Sequence, residues 1–126
     1  MHLATACGVE PSRSVLVVED DVEERELLGD FLRRHHFTVQ CAPNGAEAIE
    51  MIEQGMTPDV ILSDLIMPGV LGTSVVEYVR SNEKLRDVTI AILTGSPDLA
   101  PSGCRVFTKP VKLAAVIDYI NSPQRA

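Results

Sequence analysis

Hydrophobic residues along this chain fall into short unbroken runs that alternate with longer segments of helical period. The clearest runs cover residues 15–18, 60–62, 90–93 and 106–107, and a weaker one covers residues 38–41. Runs that lack regular polar alternation are typical of strands buried on both faces of a sheet. Such strands belong to a parallel sheet with helices packed on either side, so the pattern predicts an α/β fold.

The segments between the runs have the apolar spacing of amphipathic helices. Four helices are expected: over residues 21–35, from Asn44 to a break at Gly55, from Thr73 or Ser74 to a polar loop at 82–87, and over residues 111–121. Glu47 and Glu77 have the spacing of capping-box partners at the starts of the second and third helices. The expected inward faces are Leu28, Phe31 and Leu32, then Ala46, Ile49 and Ile52, then Val75, Val76 and Val79, and finally Leu113, Val116, Ile117 and Ile120.

The alternation of strands and helices predicts a doubly wound, five-stranded parallel sheet with right-handed crossovers and the flavodoxin-like strand order 2-1-3-4-5. One crossover is too short for this pattern. Only nine residues, 95–103, separate the fourth run from the fifth, whereas a crossover with its helix needs about 10 to 12 residues or more. The connection also contains Pro97 and Pro101, and an interior proline destabilises a helix by roughly 3 kcal/mol. Residues 96–102 are therefore expected to form a loop or a single turn in place of a fourth crossover helix.

Polar residues with useful chemistry follow four of the five runs. They are Glu19, Asp20 and Asp21 after the first run, Asp64 after the third, Thr94 after the fourth and Lys109 after the fifth. In an open parallel sheet, ligands bind outside the carboxyl ends of the strands, at the point where the strand order reverses. Each of these residues alone has an ordinary interpretation as a helix cap, a turn former or a solvated lysine. Their coincidence at successive strand ends instead predicts a single site.

Composition limits what this site binds. The chain has 126 residues, which suits one domain, and a formal net charge of −7. That charge argues against direct nucleic-acid binding, because neutralising phosphates requires clustered Lys and Arg. No apolar stretch approaches transmembrane length, so membrane contact is not expected either. Cys7, Cys41 and Cys104 share no metal-ligand spacing, which favours free thiols in a reducing cytoplasm.

The residues at the strand ends are suited to phosphoryl transfer. Clustered carboxylates repel one another unless a cation offsets their charge, and hard divalent ions such as Mg²⁺ or Mn²⁺ prefer oxygen ligands. A magnesium ion held by one or two carboxylates typically also binds phosphate oxygens. Lys109 supplies a positive charge and Thr94 a hydroxyl donor for such a phosphate. Asp64 is then a candidate nucleophile, since carboxylates form aspartyl phosphates.

Four motifs carry these residues, namely Val17-Val18-Glu19-Asp20-Asp21, Leu62-Ser63-Asp64-Leu65-Ile66-Met67-Pro68-Gly69, Leu93-Thr94-Gly95 and Lys109-Pro110. They resemble the response-regulator receiver domains of two-component signalling, and the resemblance covers residues 14–122. A flexible extension is expected at 1–13 and a short tail at 123–126. The resemblance implies a cytoplasmic phosphoprotein of a phosphorelay, which catalyses only its own phosphoryl transfer and dephosphorylation.

The resemblance also implies roles for individual acidic residues. Asp64 would accept a phosphoryl group from a histidine kinase or a histidine phosphotransfer protein. Asp64, Asp20 and the main-chain carbonyl of Ile66 would help to bind magnesium. Glu19 would act through a metal-bound water, and Asp21 is a possible accessory acid.

The switch and phosphate-binding residues show where the chain departs from the family. By resemblance, Thr94 would be the switch hydroxyl and Lys109 the phosphate partner, with a cis bond between Lys109 and Pro110. The family usually has an aromatic switch residue where this chain has Val106, and Phe107 faces the other way on a strand. The shortened fourth crossover replaces a helix of the usual signalling face. We expect the phosphoryl chemistry to be retained and the usual output route to be altered.

Rival functions fit parts of the same pattern. A phosphatase with an aspartyl nucleophile would have a second Asp at the position of Ile66, and a flavin-binding protein would find its phosphate repelled by the acidic residues after the first run. A receiver fold that binds its partner whether or not it is phosphorylated stays open, because Val106 and the missing helix favour it. Only seventeen residues follow Lys109, so output is expected through contact with an unknown downstream protein. An apolar Ile66 cannot orient water by hydrogen bonding, which predicts slow self-hydrolysis of the phosphate.

Overall fold

The computed structural model describes residues 13–65 and 72–122, and within these ranges it contains one five-stranded sheet. Its strands are β1 (Ser14–Val18), β2 (Thr38–Ala42), β3 (Val60–Asp64), β4 (Thr89–Thr94) and β5 (Arg105–Thr108). Every neighbouring pair is parallel, and the order is β2-β1-β3-β4-β5. The expected fold class and strand order are confirmed. The order reverses between β1 and β3, so the ends of these two strands flank the crevice in which ligands of such sheets bind.

The described part of the chain contains four α-helices, as expected; three lie between strands and the fourth follows β5. They are α1 (Val22–Arg34), α2 (Gly45–Glu53), α3 (Gly72–Arg80) and α4 (Leu113–Asn121). Two single turns of 3₁₀-helix, Glu83–Leu85 and Pro97–Leu99, lie before β4 and between β4 and β5. No helix in the described ranges is long and apolar enough to cross a membrane.

Strand β1 shows how the core divides into two layers. Val15 and Val17 face the layer that contains α1 and α4, whereas Leu16 and Val18 face the layer that contains α2 and α3. All four side chains are almost completely buried. Successive side chains on a strand point to opposite faces, so a strand covered on both sides needs apolar residues at every position. This packing fixes the register of β1, and with it the position of the polar residues that follow.

The connection between β4 and β5 is the single turn that the prolines predicted. Its 3₁₀-helix has Pro97 at the first position, where the missing N–H of proline costs no hydrogen bond. None of its three residues is buried, and Leu99 is 58% exposed. Beneath it, Leu65, Val76 and Ile92 form a small buried cluster. The connection therefore contributes partly buried side chains such as Ala100 to this cluster, and no fully buried side chain.

The predicted inward face of α2 was partly wrong. Ala48 and Ile52 are buried, together with Gly45, whereas Ala46 is exposed. Residues spaced by three drift by about 60° per step around a helix of 3.6 residues per turn, so Ala46 lies far around the helix from Ile52. Spacing by four, from Ala48 to Ile52, follows the buried stripe.

Two predicted helix starts also need correction. Helix α3 begins at Gly72, before Thr73 and Ser74, so Glu77 lies in its second turn and not at a capping position. Helix α4 begins at Leu113 and not at residue 111, since Lys112 keeps an extended backbone as its N-cap. The expected extension and tail, apart from residue 13, and Ile66 lie outside the described residues.

Candidate functional site

Three carboxylates meet at the carboxyl ends of β1 and β3. One oxygen from each of Glu19, Asp20 and Asp64 lies within 4.8 Å of the others. Glu19 directly follows β1, and its backbone N–H still donates to Ala42 O of β2 at 3.1 Å, which holds it against the sheet. Glu19 and Asp64 are only 5% and 9% exposed, whereas Asp20 is exposed. The carboxylate cluster, as we call these three residues, is thus buried on one side and open to solvent on the other.

A single ammonium group neutralises part of this cluster. Lys109 Nζ donates to Glu19 Oε1 at 3.0 Å, to Glu24 Oε1 at 2.9 Å and to Asp64 Oδ2 at 3.3 Å. The lysine follows β5, and its backbone N–H donates to Thr94 O at 2.8 Å. The sheet therefore fixes the main chain of Lys109, while its side chain reaches across to the ends of β1 and β3.

The two carboxylate oxygens of Asp64 have different partners. Oδ1 accepts a hydrogen bond from the backbone N–H of Leu65 at 2.7 Å, and Oδ2 faces Lys109. The hydroxyl of Ser63 donates to the main-chain oxygen of Asp64 at 2.9 Å. These contacts orient the carboxylate, so that its chemistry does not depend on a freely rotating side chain.

Thr94 is the last residue of β4 and is 1% exposed. In the strand register Asp64 is paired with Leu93, which places Thr94 one residue beyond the neighbour of Asp64. Its Oγ1 accepts a hydrogen bond from the backbone N–H of Ser96 at 2.9 Å. A hydroxyl can accept and donate at once, so the hydrogen of Thr94 can still be donated.

Burial is the main electrostatic effect at Glu19. Burial acts to raise the pKa of Glu19, hydrogen bonds from Lys109 and from the backbone of Asp21 lower it, the charge of Asp64 raises it and the charge of Lys109 lowers it. Burial prevails, and the pKa of Glu19 is raised to about 7. Burial acts to lower the pKa of Lys109. The hydrogen bonds to Glu24 and Glu19 and the charges of Glu19 and Asp64 outweigh burial and raise that pKa above its ordinary value. The site thus holds its ammonium group firmly charged while its buried carboxylate resists ionisation.

The charges and donor atoms fit a hard divalent cation. If all groups are ionised, Glu19, Asp20, Asp64 and Glu24 carry four negative charges against the one positive charge of Lys109, which leaves −3. Magnesium prefers carboxylate oxygens and keeps several waters, and the exposed side of the cluster at Asp20 admits water. A bound cation would also offset the repulsion that disfavours ionised Glu19.

Asp21 caps a helix, and Glu24 contacts the lysine of the site. Asp21 Oδ1 accepts a hydrogen bond from the backbone N–H of Glu24 at 2.9 Å, so Asp21 is the N-cap of α1. It is not among the three clustered carboxylates, and the accessory role expected for it lacks support. Glu24, which was not anticipated, instead contacts Lys109. The sequence does contain a signal for the position of Glu24. An acid three residues after an N-cap lies in the first turn of the helix, close to the end of the preceding strand.

The residues around the expected switch position have the orientations that the sequence predicted. Val106 packs with the cluster formed by Leu65, Val76 and Ile92. Phe107 points to the opposite face of the sheet and meets the ring of Tyr119 edge-on at 5.8 Å between centroids. The bond between Lys109 and Pro110 is cis, as expected.

A parallel sheet in this order, with polar groups at its carboxyl ends, defines a doubly wound α/β protein that binds its ligand where the strand order reverses. Within that class, the chain belongs to the response regulator receiver domain family, because residues 15–121 match the sequence pattern of that family. Receiver domains are signalling proteins of two-component and phosphorelay systems, and their general function is to be phosphorylated on aspartate. They bind Mg²⁺ through an acidic pocket and pair with histidine kinases and histidine phosphotransfer proteins.

Relatives with this fold come from bacteria and eukaryotes. The chain is 35% identical over 111 residues to hybrid signal transduction histidine kinase D of Dictyostelium discoideum. The aligned region covers 86% of this chain and 6% of that protein. It is 26% identical over 117 residues to the polar-differentiation response regulator DivK of Brucella anthropi, covering 87% of this chain and 94% of that protein. The chain spans only 6% to 12% of the length of several larger relatives.

A solved complex adds a structural comparison. It contains the Saccharomyces cerevisiae histidine phosphotransfer signalling protein Ypd1 and the receiver domain of its downstream response regulator Ssk1. The present chain is 30% identical in sequence to the matched chain of this complex, and the two superpose with a TM-score of 0.72. The superposition covers 89% of this chain and 88% of the matched chain.

Proposed function

We propose that Asp64 is the phosphoacceptor of this receiver domain. The observation that carries the proposal is the convergence of Glu19, Asp20 and Asp64 within 4.8 Å, with Lys109 Nζ at 3.3 Å from Asp64 Oδ2. Asp64 is the best nucleophile of the three, since it ends β3 at the centre of the sheet and both of its oxygens are oriented by hydrogen bonds.

The transfer itself is a simple displacement. A carboxylate oxygen of Asp64 attacks the phosphorus of a phosphohistidine, a P–O bond forms and the P–N bond breaks. The electron pair of the broken bond stays on the imidazole nitrogen of the donor. No proton has to be removed from Asp64, because a carboxylate is already the nucleophile. The protein's task is therefore positioning and charge stabilisation.

Glu19, Asp20 and Asp64 are the residues that would hold Mg²⁺ or Mn²⁺, with the main-chain carbonyl of Ile66 as a further oxygen ligand. When bound, a divalent cation neutralises the carboxylates and stabilises negative charge on the phosphoryl oxygens. The inclusion of Glu19 is supported by its raised pKa, because a buried carboxylate of this kind gains most from a neighbouring positive charge.

Lys109 and Thr94 would recognise the phosphoryl group once it is attached. The ammonium of Lys109 already lies beside Asp64 and would exchange its carboxylate contacts for phosphoryl oxygens. The Thr94 hydroxyl would donate its hydrogen to the same group. Because Thr94 Oγ1 also accepts a hydrogen bond from the N–H of Ser96, the new bond would link the phosphoryl group to the connection between β4 and β5.

The proposed donor is a histidine kinase or a histidine phosphotransfer protein in the cytoplasm, and the proposed output is contact with a downstream protein. The complex of Ypd1 with the Ssk1 receiver domain supports the donor class, because that receiver is similar to this chain. The free thiols of Cys41 and Cys104 are compatible with a reducing compartment.

Phosphorylation by a small phosphodonor tests the site directly. The chain is incubated with acetyl phosphate and Mg²⁺, and intact-protein mass spectrometry follows the gain of one phosphoryl group. Asp64→Asn should abolish the gain. Asp118→Asn is the matched control, since Asp118 is exposed on α4, far along the chain from the carboxylate cluster, and should behave as wild type. Undiminished uptake by Asp64→Asn would move the acceptor elsewhere.

A second candidate function is a receiver fold that binds its partner regardless of phosphorylation. Val106 and the single turn Pro97–Leu99 favour it, because they occupy the region through which the family reports phosphorylation. Pull-downs with and without a beryllium fluoride phosphate mimic distinguish the two functions. Equal recovery of the same partner in both would support the phosphorylation-independent module, whereas enrichment with the mimic would support the switch.

A further inference from the structure

A polar cavity lies at the opposite end of the sheet from the carboxylate cluster. It has a volume of about 490 Å³ and is bounded by the end of α3, the beginnings of β4 and β5, and α4. Small-molecule pockets commonly measure about 300 to 1,000 Å³. The carboxylate cluster lies at the carboxyl ends of the strands, whereas this cavity includes Thr89 and Arg105, the first residues of β4 and β5. The two sites are therefore separate.

Three arginines line the cavity, although the chain as a whole is acidic. They are Arg80, Arg86 and Arg105, and one acidic residue, Asp87, accompanies them. The whole chain has only 11 Lys and Arg against 18 Asp and Glu, so three arginines at one cavity are a local reversal of charge. In the described ranges, the ion pairs involve Arg33 and Lys109 and none of these three arginines. Their guanidinium groups are not neutralised by a carboxylate there.

The fold holds two of these guanidinium groups in place. Arg80 Nη2 donates to the main-chain oxygen of Ser102 at 2.9 Å. The guanidinium carbon of Arg105 lies 4.8 Å from the centroid of the Phe107 ring and 5.2 Å from that of Tyr119. A guanidinium has five N–H donors, so most of them stay available to a ligand. Because these side chains are already ordered, a ligand that binds them loses less conformational entropy on association.

We propose that this cavity binds a small molecule carrying two or more phosphate groups, through Arg80, Arg86 and Arg105. The planar fork of a guanidinium matches a pair of phosphate oxygens, and charged hydrogen bonds of this kind are among the strongest in proteins. Three such groups suit more than one phosphate, and the volume leaves space for an attached organic group. The proposal does not rest on phosphorylation of Asp64.

Titration with inorganic pyrophosphate tests the proposal on the full chain in metal-free buffer. Binding is measured by calorimetry and located by amide chemical-shift changes. We expect saturable binding, with shifts in residues 86–90 and 103–105. Arg86→Gln should weaken binding by roughly tenfold, as expected for loss of one charged hydrogen-bond donor. Arg86 is exposed, so this change should leave the fold intact.

Arg34→Gln is the matched control, because Arg34 is an exposed arginine at the end of α1 and carries the same charge. It should not change the affinity. Arg105→Gln gives a second variant inside the cavity and should also weaken binding. Adenosine diphosphate, tested in parallel, identifies the ligand source: tighter binding than pyrophosphate indicates a nucleotide, and equal binding indicates recognition of the phosphates alone.

Three results would overturn the proposal. The first is an absence of saturable binding by both probes. The second is a set of shifts confined to the neighbourhood of Lys109, which would place the phosphates in the site at the other end of the sheet. The third is an equal loss of affinity in Arg34→Gln and Arg86→Gln, which would reduce the effect to overall charge.

Discussion

The carboxylate cluster and the connection between β4 and β5 are built on opposite principles. In the cluster, Glu19 and Asp64 are buried and share Lys109 as a hydrogen-bond donor. In the connection, no residue of Pro97–Leu99 is buried, and Leu99 is 58% exposed. Receiver domains need a site that reacts and a region that changes in response. Here the first is strongly constrained by its neighbours. The second has no fully buried residue and is tied to α3 by the hydrogen bond from Arg80 Nη2 to Ser102 O.

The difference also shows which residues cover this half of the sheet. Leu65, Val76 and Ile92 are buried together beside β4, and Val76 belongs to α3. Helix α3 therefore supplies buried cover on a face where the connection contributes only partly buried side chains such as Ala100. If so, the reacting site should tolerate changes in the connection but not in the residues packed beneath it.

Removal of divalent metal should have the largest effect on the reacting site. With excess EDTA, we expect no phosphoryl gain at Asp64 from acetyl phosphate, because the clustered carboxylates would repel the incoming phosphate. Intact-protein mass spectrometry measures the gain, and added Mg²⁺ should restore it. Full uptake in the chelator would show that Lys109 alone neutralises the site.

Replacement of Lys109 should have the next largest effect. Lys109→Gln removes the ammonium group that contacts both Glu19 and Asp64. We expect phosphorylation to be about a hundredfold to a thousandfold slower, as for loss of a preorganised electrostatic group. The rate of phosphoryl gain checks this. Lys112→Gln, at an exposed lysine three residues away, should react at the wild-type rate. Equal slowing in both variants would assign the effect to net charge.

A pair of alanine substitutions separates the connection from the core beneath it. Ile92→Ala should lower the free energy of unfolding by about 2 to 5 kcal/mol, because it opens a cavity in a buried cluster. Leu99→Ala is the matched control and should change that free energy by less than about 0.5 kcal/mol, since Leu99 is largely exposed. Urea denaturation measures both values. A large effect of Leu99→Ala would show that the connection packs more firmly than its exposure indicates.

The sequence was sufficient to predict the main features of this fold. Val15 and Val17 alternate with Leu16 and Val18 without a polar break, and this pattern is typical of a strand covered on both faces. The two prolines predicted the single turn between β4 and β5, because proline acts locally through its own backbone. Features that depend on residues close together in the chain could therefore be predicted from the sequence.

Other features depend on contacts between residues that are far apart in the chain, and local sequence patterns do not predict such contacts. The contact of Glu24 with Lys109 joins residues 85 positions apart, and the cavity lined by Arg80 and Arg105 depends on how α3 packs beside β5. The exposed position of Ala46 followed from the rotation of α2 about its axis, which the sheet decides and composition does not. Grouping of the acidic residues at the strand ends was predictable, but their individual hydrogen-bond partners were not.

The smallest expected effect concerns the switch position itself. Val106→Phe puts a ring where Val106 packs beside Leu65, Val76 and Ile92. We expect the free energy of unfolding to fall by about 1 to 3 kcal/mol from overpacking, with phosphoryl uptake at Asp64 unchanged. Val22→Phe, at an exposed valine, is the control for the stability measurement and should change it little. A Val106→Phe variant as stable as wild type would reveal unfilled space under the connection. In that case the space beside Val106 would be large enough for the aromatic side chain that the family usually has there. The loose packing of the connection would then continue into the core beneath it, in contrast to the constrained carboxylate cluster.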